Sequence, residues 1–327
     1  MTNRKIGAHV SAAGGHFKAV ERVAEIGCNT LQIFSGSPRV WAKPKLEAID
    51  TVKFFSTQKM LKVNQVITHA LYLINLASDK PENVQKSINA LIYELTFDSL
   101  IKGAGVVVHL GSHTGRGWEA VKDQVATAVS TILEKTPEDS TFLIENSAGQ
   151  NGKLCSDLNE IRWLLDQVNS PRLGWCIDTC HAHAAGFVLS PTSSFPSFSV
   201  RRSNLNEVLT NDQDEISRAK GEEGKTSGSK NENMTNGERG KVLDQEITKL
   251  DLWSTLHCIH VNDSKDEFDS GRDRHANLGE GNIPMEDFKH FLNLEQVQNI
   301  PLILEVPGFD NEGPDKQNVD ILKKLVE

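Results

Sequence analysis

Eight short runs of apolar, largely β-branched residues recur along the 327-residue chain, and seven of them carry a His, Asp or Glu at or just past their C-terminal end. The runs are IGAHVS, LQIFSG, VITHA, VVVHLGSH, FLIENSAG, WCIDTCH, CIHVND and LILEVPG. Between them, helical patterns fall at about 15–27, 45–62, 81–102, 117–135, 156–168, 285–293 and 315–326. Apolar strands alternating with amphipathic helices imply an all-parallel sheet covered on its outer face. Eight such units most simply close into a (β/α)8 TIM barrel. An open doubly wound sheet is the rival, but it would gather ligands at one switch point rather than on nearly every strand.

In a parallel barrel the strand C-termini open on one face, so ionisable groups far apart in sequence converge there. They do not end buried runs by accident, because an unpaired buried charge costs several kcal/mol. The candidates are His9, His69, His109, Glu145, Asp178, His181, His260 and Glu305, with Asp273 and His275 in the DRH that follows the seventh run. Imidazoles mixed with carboxylates suit zinc or manganese. A single zinc takes about four ligands, so this set points to two or three ions sharing a bridging carboxylate. Paired ions can clamp a phosphoryl oxygen, which is a phosphodiesterase arrangement.

The formal charge of −9 argues weakly against a nucleic-acid partner. Four candidate carboxylates are counted in it, and three dications would offset six of those charges, so the local field decides. Five scattered cysteines favour a reduced, intracellular setting: cytoplasmic, or nuclear or organellar in a eukaryote. Cys180, between Asp178 and His181, reads as a packing thiol, because no second Cys stands at ligand spacing. No apolar run reaches the ~20 residues of a membrane span, and the first residues lead straight into a strand without a secretory h-region. The chain reads as one domain over 1–327, broken at 190–245 by a Gly/Ser/Asn/Lys/Glu-rich stretch without aromatic residues between Phe198 and Trp253. That low-complexity insertion after strand 6 is expected to be disordered, since it cannot bury enough apolar area to offset chain entropy. A tolerated surface insertion is the simpler account of it, a partner-docking arm the other.

The motifs HVSAAGG, SPRVW, HALYLINL, HLGSHTG, IENSAGQ, IDTCHAHAAG, HVNDSK, DRHANLGEGNI and LILEVPG together resemble the endonuclease IV family of abasic-site endonucleases. The resemblance covers about residues 6–310 outside the insertion. It implies three zinc ions, with partial manganese substitution, at the mouth of the barrel. His69, His109 and Glu145 would hold the first; Glu145, as the catalytic bridge, Asp178, His260 and Glu305 the second; His181, Asp273 and His275 the third. It further implies hydrolysis of the phosphodiester 5′ to an abasic site in double-stranded DNA, leaving a 3′-hydroxyl and a 5′-deoxyribose phosphate. A second activity on blocked 3′ ends and a monomeric state go with it, and no membrane partner. Arg39, Tyr72 and Leu73 match the family's DNA-penetrating positions, and Lys265 and Arg274 stand where they could touch backbone phosphates.

Blander readings compete with several of these. Tyr72 and Leu73 could be ordinary loop packing, and Lys265 and Arg274 solvated surface charges. His9 is not a family ligand and reads as a hydrogen-bonded core histidine. His113 and His183 read as structural; His16, His257 and His290 as surface or packing residues. Trp41 reads as a loop prop and the GEG at 279–281 as a turn. A sugar isomerase or epimerase of the related xylose-isomerase-like barrels is the main alternative, but such enzymes hold two hard ions mainly with carboxylates, whereas this set has at least five histidines. A DNA-damage binding module that no longer cuts would be expected to have lost a ligand, and none is missing.

Overall fold

The computed structural model describes residues 4–193 and 240–327. The strands are β1 (Ile6–His9), β2 (Thr30–Phe34), β3 (Gln65–His69), β4 (Val106–Val108), β5 (Phe142–Glu145), β6 (Leu173–Asp178), β7 (Phe187–Val188), β8 (Lys241–Val242), β9 (Leu256–His260), β10 (Asp263–Ser264), β11 (His275–Ala276) and β12 (Leu302–Leu304). The helices are α1 (His16–Glu25), α2 (Thr51–Leu61), α3 (Pro81–Leu100), α4 (Lys122–Glu134), α5 (Leu158–Val168), α6 (Thr179–Ala184), α7 (Leu243–Lys249), α8 (Met285–Leu292) and α9 (Lys316–Leu325). Strands β1, β12, β9, β6, β5, β4, β3 and β2 close in that order into a barrel. Every neighbouring pair in it is parallel. All eight apolar runs of the sequence are barrel strands, and closure removes the doubly wound alternative.

Seven helices lie where the apolar periodicity puts them, with ends trimmed by local chemistry. Helix α2 starts at Thr51 rather than 45 because the Asp50 side chain accepts from the Lys53 amide, capping the first turn. The first turns expected of α4 form a separate 3-10 turn at Trp118–Ala120. Residues 241–245, placed in the insertion by composition, instead form β8 and the start of α7. Their apolar spacing explains this: Leu243 and Ile247 lie four apart and are both buried. Strand β8 pairs in parallel with β7. The rest of the expected disordered stretch, 194–239, lies outside the described residues.

The barrel interior is filled by Ile67, Val107, Leu143, Cys176, Cys258 and Ile303, one from each of six strands, which pack on one another as a cluster separate from the sheet–helix core. Two residues further along each of these strands or its loop stand His69, His109, Glu145, Asp178, His260 and Glu305. Side chains alternate across a strand with period two. The inward face that carries the apolar filling therefore carries the ionisable groups one step higher, about 6.6 Å nearer the mouth. On β1 and β2 the same step runs from Gly7 to His9 and from Thr30 to Gln32. All eight strands thus offer a polar side chain at this level.

Gly7 shows how tightly the lower level is filled. A Cβ there would lie 2.6 Å from Ile303 Cδ1 and 2.7 Å from the Thr30 carbonyl oxygen. Gly7→Ala is expected to destabilise the protein by about 1–3 kcal/mol through overpacking, read as a lower denaturant midpoint; an unchanged midpoint would show that the barrel floor can relax.

Candidate metal centre

Glu145, buried at the end of β5, is the meeting point of the site. Its Oε2 lies 3.3 Å from His69 Nε2 and 3.1 Å from His109 Nε2. Its Oε1 lies 3.2 Å from His260 Nδ1 and 3.4 Å from His181 Nδ1. His260 Nδ1 is also 3.1 Å from Glu305 Oε2 and 3.9 Å from Asp178 Oδ2. On the far side, Asp273 Oδ1 lies 3.0 Å from His181 Nε2 and 3.4 Å from His275 Nε2, and Asp178 Oδ2 lies 3.5 Å from His275 Nε2.

These contacts resolve into three groups, each with donor atoms within 4.8 Å of one another: His69, His109 and Glu145; Glu145, Asp178, His260 and Glu305; and Asp178, His181 and His275. Asp273 adjoins the third, and Glu145 belongs to the first two. All nine candidate ligands therefore lie in one connected cluster. The donor set fits divalent cations. Glu145 Oε2, His181 Nε2 and His275 Nε2 are buried and face only other donors of the cluster, so a cation between them would replace contacts that proton sharing alone must otherwise satisfy. The second nitrogen of each ring is mostly engaged. His69 Nδ1 meets the Ala70 carbonyl at 2.7 Å, His181 Nδ1 the Asn146 carbonyl at 3.0 Å and His275 Nδ1 the Glu305 carbonyl at 3.2 Å. A carbonyl only accepts, so each of these rings carries its proton there and turns the other nitrogen's lone pair toward the cluster. His260 is reversed: its Nε2 meets Gln32 Oε1 at 2.8 Å, freeing Nδ1.

Protonation responds to this crowding. Burial pushes the Glu145 carboxyl up, but His109 and His260 outweigh it and hold the group well below the usual carboxylate range. Glu305 behaves alike, held down by His260 and His9 against its burial. Burial lowers His109 to about 4. Burial also disfavours a charged His275, yet Asp178 and Asp273 lift it to about 9. Against their burial, Asp178 and Asp273 lift His181 more strongly still, and Cys176, followed by Glu305 and Glu145, does the same for His260.

Residues that sequence reasoning passed over complete the site. Gln32 donates to Glu305 Oε1 at 2.6 Å and bridges it to His260. Asn262 donates to Asp178 Oδ2 at 2.6 Å and accepts from the Glu305 amide, and Asn146 accepts from the Asp178 amide. Each follows a ligand in the sequence closely or shares a strand's inward face, which is the only signal they carried. Lys153 Nζ lies 3.6 Å from Asp273 Oδ2. Its loop is tied to the loop after β4 by His113 N to Gly152 O and Leu154 N to Gly111 O, both 3.0 Å.

The remaining candidates divide. Arg39 is exposed, and Tyr72 and Leu73 are 55% and 38% exposed, two adjacent members of the six large apolar side chains that are exposed among the described residues. Their two loops are joined by the Tyr72 amide donating to the Pro38 carbonyl at 3.0 Å. Behind them Lys43 bridges Ser35 Oγ to the buried Glu94. Lys265 is exposed, whereas Arg274 is engaged with Asp266, Nε to Oδ2 at 2.7 Å and a second, shorter bond through its terminal nitrogen. His9 holds Glu305 Oε1 at 2.8 Å. His113 Nδ1 accepts from the Gly115 and Gly117 amides, and His183 packs on Phe268. His16 meets the Ser35 carbonyl, His257 is exposed and His290 faces Asp244 at 3.8 Å. Trp41 packs partly buried against the core. Gly279 and Gly281 give their amides to Asp263, leaving no cradle for a phosphate. Cys180 is a buried free thiol outside the three donor groups. A cavity of about 990 Å³ adjoins the site beside His9 and Phe34, with Asp310, Glu312 and Asp315 on its rim; none of the nine candidate ligands lines it.

The family model for the xylose isomerase-like TIM barrel matches residues 20–325. A probable endonuclease 4 of Halothermothrix orenii is 32% identical over 98% of this chain and 99% of its own length. Its counterpart in Thermosipho melanesiensis is 34% identical over 94% and 93%. Among solved structures, endonuclease IV of Thermus thermophilus superposes with a TM-score of 0.71 at 24% identity, covering 98% of both chains. A D-tagatose 3-epimerase-like protein shares the barrel with a TM-score of 0.65 at 16% identity, covering 98% and 96%.

Zinc uptake by metal-free protein near neutral pH is expected to release protons, because His181, His260 and His275 are protonated there and ligate only when neutral. The affinity should rise with pH through about 9, where His275 deprotonates, and keep rising above it, because His181 and His260 are lifted further. Calorimetry in buffers of different ionisation enthalpy measures the release; a binding heat independent of buffer would contradict it.

Proposed function

The chain belongs to the endonuclease IV family, and on that premise we propose that it hydrolyses the phosphodiester 5′ to an abasic site in duplex DNA, leaving a 3′-hydroxyl and a 5′-deoxyribose phosphate. Trimming of blocked 3′ ends is the same hydrolysis at a terminus. A monomer working in a reduced, intracellular compartment goes with this reading. The observation that carries it is the donor cluster of three groups linked through Glu145 and Asp178, set beside exposed Arg39, Tyr72 and Leu73.

His69, His109 and Glu145 would hold one zinc, Glu145, Asp178, His260 and Glu305 a second, and His181, Asp273 and His275 a third. Bound there, the ions would supply Lewis acidity toward phosphate oxygens and an acidified water. Glu145, whose Oε2 faces His69 and His109 and whose Oε1 faces His181 and His260, would orient the attacking water from the centre of the cluster. Gln32, Asn146 and Asn262 fix the ligands against rotation, so the site is preorganised before substrate arrives. Lys153 adds a cation beside Asp273, on the side where the leaving oxygen gains charge.

A phosphate between stacked bases cannot reach so deep a cluster, so the damaged nucleotide must leave the stack. Tyr72 and Leu73 fill the space it vacates, offsetting an unstacking cost of a few kcal/mol. The Lys43–Glu94 pair and the Tyr72–Pro38 hydrogen bond hold both wedge loops to one frame. The acidic rim of the neighbouring cavity repels phosphate, so the backbone runs over the Lys153 and Lys265 side. A sugar epimerase would need neither the exposed wedges nor this many imidazoles.

Glu145→Gln is expected to lower incision by about 10³-fold or more while an abasic duplex still binds, since the wedge residues are untouched; near-native incision would overturn the role. Replacing both Tyr72 and Leu73 by Ala should weaken binding of the abasic duplex by roughly 10–100-fold, in line with the lost wedge energy. Equal affinity in a gel-shift titration would return these residues to ordinary loop packing.

A further inference from the structure

One group of candidate donors is absent from the mechanism. Cys176 on β6 and Cys258 on β9 are directly paired across the barrel wall, and their sulfurs lie with a His260 nitrogen in a set whose atoms are all within 4.8 Å of one another. All three residues are fully buried. Each Cys stands two positions before a candidate ligand, Asp178 or His260, and so occupies the inward position immediately beneath the carboxylate–imidazole level. The cysteines are far apart in sequence, which hid the pair from spacing rules.

We propose that Cys176, Cys258 and His260 form a second, sulfur-bearing cation site beneath the centre described above, which takes a thiophilic dication of the cadmium class and, by engaging His260, disables that centre. The donor chemistry is soft, in contrast to the nitrogen and oxygen donors overhead. The charge balance also suits burial. As two S–metal bonds form, both thiol protons leave to solvent, and two thiolates neutralise a dication, leaving no net charge among Ile67, Val107, Leu143 and Ile303. A lone cation in that apolar layer would meet a large desolvation cost. The coupling upward runs through one ring, because His260 Nδ1 lies 3.2 Å from Glu145 and 3.1 Å from Glu305. An ion held below therefore competes with the carboxylates for the same imidazole.

The test is titration of the zinc-loaded protein with cadmium, followed by the ultraviolet thiolate-to-metal charge-transfer band and, in parallel, by incision. The band is expected to saturate at one cadmium per chain as incision is lost. In Cys258→Ala and in Cys176→Ala the band should vanish, and the cadmium concentration that halves each variant's own incision rate should rise by about 10-fold or more. Cys180→Ala should keep the band. No band in the native protein, or a band that survives in both variants and disappears in Cys180→Ala, overturns the proposal. The site rests on the metal-centre reading only through His260. The optical readout needs no DNA, so a protein that fails to cut an abasic duplex but shows the band refutes the substrate and leaves the sulfur site standing.

Discussion

The contact between the buried Glu145 carboxylate and imidazoles from four separate elements is what the rest of the molecule is arranged around. His69, His109, His181 and His260 reach it from β3, the loop after β4, α6 and β9. Removing one partner of a buried charge pair typically costs about 3–5 kcal/mol, because it strands the other, so each of these side chains depends on the rest of the cluster. In the metal-free protein the nitrogens and carboxylate oxygens of the mouth face only one another. Cations between them would satisfy both.

Geometry of the closed parallel barrel makes such a cluster possible. Period-two alternation places an apolar residue and then a polar one on the inward face of successive strands, so a filled floor and a reactive mouth come from the same pattern. In the proposed function, specificity would lie outside the barrel wall, on the loops after β2 and β3. There exposed Tyr72 and Leu73 stand beside Arg39, and the buried Lys43–Glu94 pair fixes their base.

Much of this was legible in the sequence, for physical reasons that also mark where legibility ended. All eight barrel strands could be read because β-branched runs between turns have few other uses, and ten candidate donors because buried runs do not end in charges without cause; the family resemblance, not the pattern, set His9 aside and divided the other nine among three ions. Gln32 was hidden because a buried amide demands hydrogen bonds without saying to whom, and an amide is not a usual ligand of these ions. Asn146 and Asn262 were hidden because asparagine after a strand reads equally well as a turn. The engagement of Arg274 with Asp266 depends on the β10–β11 hairpin, whose strands are two residues long. Helix α6 is a single short turn following Asp178, below the length at which periodicity can speak. The Cys176–Cys258 pair exists only through cross-strand register.

The most direct test of the account is incision of a duplex carrying one synthetic abasic site, with and without a chelator, with the cut ends identified. The account predicts a single cut 5′ to the lesion with a 3′-hydroxyl and a 5′-deoxyribose phosphate, abolished by the chelator and restored by zinc. A cut 3′ to the abasic site, or undiminished cutting by protein shown to be stripped of metal, would contradict it.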